Sequence, residues 1–291
     1  MKTEKKRVGT KAEIRAIKNR ERRIATAIFL TIILLAISFS AYFAYTLLAQ
    51  PSHNLIEPSL QFKPENPNPQ LKAAIVDHLS LTIKNETFME EAAAILVKAN
   101  YTVDYFSGEK VTVEFYRNLP AYGYNPIILR VHSAGTSAVG SVELSLFTCE
   151  PYSNTRYVPE QLKEQVGIVA YSPGQSEYFG ISPSFVRECM KNTFISTTII
   201  MMGCDGLKGT QTAKAFIDKG AKVYIGWNAS ISASHTDTAT TQLLKHLVTE
   251  KQTIEQAVEN TMKEVGPDPA KNSILQYYPL GVRDQTIENT P

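Results

Sequence analysis

Residues 196–227 read STTIIMMGCDGLKGTQTAKAFIDKGAKVYIGW. Two continuous apolar runs, 196–204 and 221–227, predict strands buried on both faces, because a half-exposed strand would alternate. The turn residues between them lead into a helix expected over about 209–219. Strand, helix and strand in that order imply a parallel pair joined by a crossover.

The pattern continues in both directions. Upstream, 71–79 is a short apolar strand, 85–100 carries helical spacing, 101–106 alternates, and 111–119 fits strand or helix, its position favouring a crossover helix. Residues 125–133 (NPIILRVHS) form a third core strand. Residues 142–182 differ, with short strands between turn residues, and predict a β-rich insertion. A short helix at 183–191 precedes the opening segment, and helices at about 235–250 and 253–264 follow it. The expected fold class is α/β, a mostly parallel sheet with helices on both faces and a β-rich insertion.

Composition places this domain in the chain. The 291 residues carry 30 Lys+Arg against 28 Asp+Glu, a formal net charge of +2. That balance hides a basic tail over 1–23, at +7, and a remainder at −5. Positive charge confined to one tail argues against nucleic acid as a partner. Three cysteines exclude a disulfide-dense scaffold. Residues 24–49 hold no charge, enough as a helix to cross a bilayer with some tilt. The charged and apolar stretches are both long for a signal peptide, so a retained membrane helix with a cytoplasmic N-terminus and an extracytoplasmic body is expected at the cell membrane. Residues 50–70 contain five prolines and predict an extended tether. The functional domain is then 71–291.

Chemistry in an open α/β sheet collects at the carboxyl ends of its strands. His132 closes one predicted strand and Cys204 another, each followed by small residues. A thiolate is a strong nucleophile, a nearby imidazole takes its proton and returns it to a leaving amine, and backbone N–H groups hold the oxyanion. By themselves such residues are more often a small buried cysteine and a hydrogen-bonded histidine than a catalytic pair.

The segments VHSAG, MGCDG, KGAKVYIGW and HTDTATTQLL resemble the caspase-like, clan CD cysteine peptidases, most of all the CHAT and separase branch. The resemblance is dense over about 196–262, moderate over 71–135 and absent over 136–195. It implies a caspase-like three-layer sandwich and a cofactor-free cysteine endopeptidase acting on a protein or peptide substrate. Cys204 would be the nucleophile and His132 the general base and acid. The backbone N–H groups of Ser133 and Cys204 would form the oxyanion hole, although the family usually has glycine where Ser133 stands. Met202 occupies a position that is acidic in basic-specific relatives, which leaves Asp77, Asp205 and Asp237 as candidate substrate-binding acids or merely caps. Trp227 would wall a substrate pocket or anchor the core. The rival reading is a catalytically silent domain that binds a partner at the membrane; a third is a small-molecule site at the same strand ends.

GCDGLKGT (203–210) has no lysine between its last glycine and Thr210, so the phosphate-loop pattern fails. His78, His235 and His246 have no zinc-ligand spacing, so no metal is expected. Asn85, Asn100 and Asn228 begin glycosylation sequons.

Overall fold

The computed structural model describes residues 11–48, 55–138, 141–172 and 174–287. They belong to two units, 1–54 and 55–291. In the first, helix α1 (Lys11–Leu48) contains the stretch Lys18–Ser40, with mean hydropathy 2.1 and none of it buried. Its length and composition suit a membrane span or a signal sequence alike. The helix starts well before the expected span because the Lys, Arg, Glu and Ala residues ahead of it are good helix formers.

The second unit runs β1 (Leu60–Phe62), β2 (Lys72–Asp77), α2 (Glu86–Lys98), β3 (Thr102–Ser107), α3 (Val113–Asn118) and β4 (Ile127–Arg130). Then come β5 (Ser133–Ala138), β6 (Ser141–Pro151), α4 (Val158–Leu162), β7 (Val166–Ala170), β8 (Glu177–Ile181) and α5 (Pro183–Glu188). The chain closes with β9 (Thr197–Met201), α6 (Gln211–Asp218), β10 (Ala221–Trp227), α7 (Ala233–Leu244), α8 (Ile254–Val265) and β11 (Leu275–Tyr278). A π-helical turn over Lys245–Thr249 extends α7.

Seven strands form the main sheet in the order β1-β3-β2-β4-β9-β10-β11. The five inner strands are parallel, and the two edge strands run antiparallel to their neighbours. Alternate residues of the inner strands face opposite layers. Val76, Leu129 and Met201 pack with α3, α5 and α6 through Phe115, Phe185 and Phe216. Ile75, Ile128 and Ile200 pack with α2, α7 and α8 through Leu96, Leu243 and Ala257. Helices therefore cover both faces of a mostly parallel sheet. Each fully buried aliphatic of this kind contributes about 1.5–3 kcal/mol relative to exposure.

Local chemistry sets the helix starts. Asn85 accepts the Phe88 N–H at 3.1 Å and begins α2, and Thr112 accepts the Phe115 N–H at 3.0 Å and settles 113–118 as helix. Thr253 and Gln256 form a reciprocal capping box on α8.

Three features depart from the sequence reading. The strand expected over 125–133 is divided: β4 ends at Arg130, and Ser133 already opens a second, antiparallel sheet ordered β5-β6-β8-β7. The insertion thus starts directly after His132. Part of the expected tether lies on the domain, where the Ile56 N–H donates to the Tyr122 hydroxyl at 2.8 Å and β1 pairs with β3. Leu-Gln-Phe is a proline-free run, and it satisfies backbone groups that the edge of β3 would leave open. Finally, β11 adds a short edge strand beside β10 that four residues did not announce.

Candidate active site

The parallel strands β2, β4, β9 and β10 deliver their carboxyl ends to one side of the sheet. Chain order reverses between β2 and β4, because β3 lies on one side of β2 and β4 on the other. Such a switch point leaves a crevice at the strand ends. His132 follows β4 and Cys204 follows β9, and these two strands are direct neighbours, with Leu129 opposite Met201. The ladder continues past the strand ends, for Met202 donates its N–H to the Leu129 carbonyl at 3.0 Å. Beyond it the Ser133 hydroxyl donates to the Cys204 carbonyl at 2.6 Å. Gly203 makes this approach possible, since a Cβ there would run into the Val131 carbonyl oxygen. The two sequence-predicted catalytic residues are therefore brought to adjacent strand ends, tied together by Ser133.

The side chains themselves have other partners. The His132 Nε2 lies 2.9 Å from the Thr82 hydroxyl, on the loop after β2. Its ring sits edge-on to Tyr171, with centroids 4.9 Å apart, and against Phe147 at 5.8 Å. Burial, and next the Arg130 guanidinium, hold its pKa below the usual imidazole value, so the ring is neutral and available as a base at pH 7. The half-buried Cys204 Sγ meets the Ile231 loop after β10, lying 3.5 Å from the Ile231 N–H and 3.7 Å from its carbonyl oxygen. Among the described residues no hydrogen bond joins the His132 ring to the Cys204 sulfur.

His78, absent from the sequence-based candidates for this site, stands behind His132. It is fully buried, and its ring lies edge-on to His132 at 5.8 Å and stacks near Tyr171 at 6.3 Å. Neither ring nitrogen has a hydrogen bond of ordinary geometry. Burial, and next the charge of His132, push its pKa down to about 4, outweighing the Thr148 backbone, which favours the charged form. Folded-state His78 is thus harder to protonate than in the unfolded chain. Its contribution is intact above about pH 6.5 and is lost as pH falls toward 4, up to about 3 kcal/mol. We expect His78→Phe to flatten this acid loss relative to the parent. Urea unfolding at pH 7 and pH 4.5 measures it, and parallel losses in both proteins would refute the assignment.

The candidate substrate-binding residues are placed as follows. Arg130, fully buried, donates from Nε and a terminal nitrogen to the two Asp237 oxygens at 2.8 and 2.9 Å, and from its other terminal nitrogen to Asp77 at 2.8 Å. Asp237 also accepts from Asn85 at 2.8 Å, and Asp77 from the Ser80 N–H and the Tyr105 hydroxyl at 3.0 and 3.1 Å. Both acids face this internal guanidinium, so neither is a free counter-charge for a basic substrate side chain. A cationic residue within a buried strand needs partners, and Asp237 on α7, Asp77 at the end of β2 and the Ile83 carbonyl supply them.

Asp205 has a left-handed backbone (φ 58°) just after Cys204, and its carboxylate lies 3.8 Å from Lys208. It shapes the turn while keeping an open side. Trp227 is 1% exposed and donates its indole N–H to the Thr236 hydroxyl at 2.9 Å. It anchors the core under α7 rather than walling a pocket, because it shares the inward face with Val223 and Ile225.

Cys149 and Cys189 are free thiols with separate surroundings. Cys149 approaches the Glu109 carbonyl at 3.3 Å, whereas Cys189 packs beside Arg117. Among the described residues no group of three His, Cys, Asp or Glu side chains is placed to hold a metal ion. Of the three sequons, Asn85 and Asn228 have their amides engaged in the fold, and Asn100 is exposed.

No family model matches the chain, and no curated protein matches it. Solved structures do. One is the Arg-specific cysteine proteinase gingipain R, 11% identical, with 70% of this chain covering 44% of that one at a TM-score of 0.43. The chain thus spans less than half the length of that protein. A likeness this distant assigns neither activity nor residues.

Proposed function

We propose that the chain is a membrane-anchored, caspase-like cysteine endopeptidase of the CHAT and separase kind. The observation that supports this best is the meeting of His132 and Cys204 at adjacent, parallel strand ends, tied by the Ser133 hydroxyl on the Cys204 carbonyl. In this reading the neutral His132 imidazole takes the Cys204 proton and the thiolate attacks a peptide carbonyl. The backbone N–H groups of Ser133 and Cys204 receive the oxyanion, His132 protonates the departing amine, and water releases the acyl group. Attack requires the Cys204 sulfur to turn from the Ile231 loop and His132 to exchange its bond to Thr82. Apo sites of this chemistry are often looser than their substrate complexes.

The apolar helix around 24–49 would hold the domain at the cell membrane, with the basic N-terminus cytoplasmic and the domain outside. The substrate is a protein or peptide, and no cofactor takes part.

A second reading is a silent domain that binds a partner at the membrane. It is favoured by the separate partners of the His132 and Cys204 side chains. A peptide-library digest separates the two. Cleavage by the parent protein that disappears in Cys204→Ala supports the peptidase; no cleavage by the parent, or cleavage unaltered in the variant, supports the silent domain.

A further inference from the structure

We propose that the free edge of β5 is the track on which an extended polypeptide substrate lies, adding a strand that leads into the His132–Cys204 site. This rests on the peptidase reading above. Among the described residues β5 is the terminal strand of the second sheet, paired with β6 alone, and its first residue follows His132 directly. The direction of its free groups follows from one bond. The His132 carbonyl accepts the Phe147 N–H at 3.0 Å, which makes these two opposite residues a hydrogen-bonded pair. Pairs along an antiparallel ladder alternate, so Ala134 points its N–H and C=O at Ser145 on β6, while Ser133 and Gly135 turn theirs outward.

The outward groups therefore begin at Ser133, which also touches Cys204, and recur at Gly135, about 7 Å further along. Gly135 is exposed. The usual edge guards, a lysine, a proline or an inward charge, are absent from Ser133–Ala138. An alternating row of N–H and C=O groups is matched by another extended backbone, which makes a peptide chain the occupant. Continuity with the candidate site makes that chain the substrate, on one side of its scissile bond. The other edges do not share this placement. β1 and β11 are three and four residues long, and β7 lies at the far side of the second sheet.

The test uses Gly135→Pro and Gly135→Ala in the full chain. Proline is tolerated at an edge position whose N–H faces solvent, and it removes that donor; alanine keeps it. Quenched fluorescent peptides start from the best-cleaved four-residue core of the library digest and are lengthened in steps toward either end. In the parent, one series gains kcat/KM with length. The Gly135→Pro variant loses about five- to tenfold of that gain, Gly135→Ala keeps it, and the core peptide is cleaved equally by all three. An equal gain in both variants, or no gain in the parent, overturns the proposal. Should Gly135→Pro not fold, single N-methylation along the longer peptide replaces it. Loss at alternate residues supports the added strand, and indifference at every residue overturns it. If the parent cleaves no peptide at all, the peptidase reading fails first and this inference falls with it.

Discussion

Cys204→Ala is expected to abolish peptide cleavage, with a loss of about 10⁴-fold or more in kcat. A methyl group cannot form the acyl-enzyme, and only binding and oxyanion contacts remain. His132→Ala should cost about 10²–10⁴-fold, the range for a general base whose removal leaves the nucleophile in place. The two losses should not add, because His132 acts only through the Cys204 thiol. The double variant should therefore be no slower than Cys204→Ala alone. His132 also predicts the pH profile. Burial and Arg130 hold its pKa below the ordinary imidazole value, so the acid limb of kcat/KM falls below pH 6.5. Single-turnover assays of the parent and three variants, after circular dichroism has shown them folded, measure all of this. Unchanged turnover in either single variant would end the assignment.

Arg130→Met is expected to produce the largest loss of stability, about 3–5 kcal/mol at pH 7. The guanidinium is fully buried between Asp77 and Asp237, and its removal strands two buried carboxylates without their cation. The loss should depend on pH with a definite sign. Burial raises the Asp77 pKa above its ordinary value, and Arg130 is the chief group pulling it back down. Without the arginine the folded-state value climbs further above the unfolded one. The cost is then relieved below the unfolded carboxylate value and grows as pH rises. The difference between variant and parent should be greatest at pH 7 and shrink toward pH 4.5. The acid loss attributed to His78 is common to both proteins and cancels in the comparison. Chemical denaturation at the two pH values reads the effect. A variant that unfolds at the parent's midpoint at pH 7, or whose deficit deepens with acid, would contradict it.

Much of the fold was legible where a strand was buried on both faces. The runs ending in Met201 and Trp227 are continuously apolar, and a helix with turn residues separates them, so β9, α6 and β10 could be read directly. The termini of the domain were not. Three residues in β1 and four in β11 carry no pattern, and they are strands because open edges of the sheet accept them. β5 was invisible for a related reason. The small residues after His132 suggest a loop, and only pairing with β6 makes them a strand.

The site was half readable. His132 and Cys204 stand out as reactive side chains at strand ends, but their adjacency depends on the strand order, which crossovers decide and local sequence does not. The carboxylates misled for want of a partner. Asp77 and Asp237 looked free until Arg130, a cation within an apolar strand, was seen between them; that arginine was the missed signal, since a buried charge demands company. Trp227 was ambiguous for a residue at the end of a strand, although its parity with Val223 and Ile225 points into the core. His78 had no signal beyond its place beside Asp77.

The central claim is that Cys204 is a nucleophile served by His132. Alkylation by a peptide-based thiol-reactive probe at pH 7, read by mass spectrometry at each cysteine, tests it most directly. The background is low: burial pushes the Cys149 pKa up to about 11 and raises that of Cys189, so both stay protonated. The account predicts that Cys204 is modified first, well above the rate of a free thiol, and that His132→Ala removes the advantage. A Cys204 that reacts no faster than a free thiol, with or without His132, would contradict it.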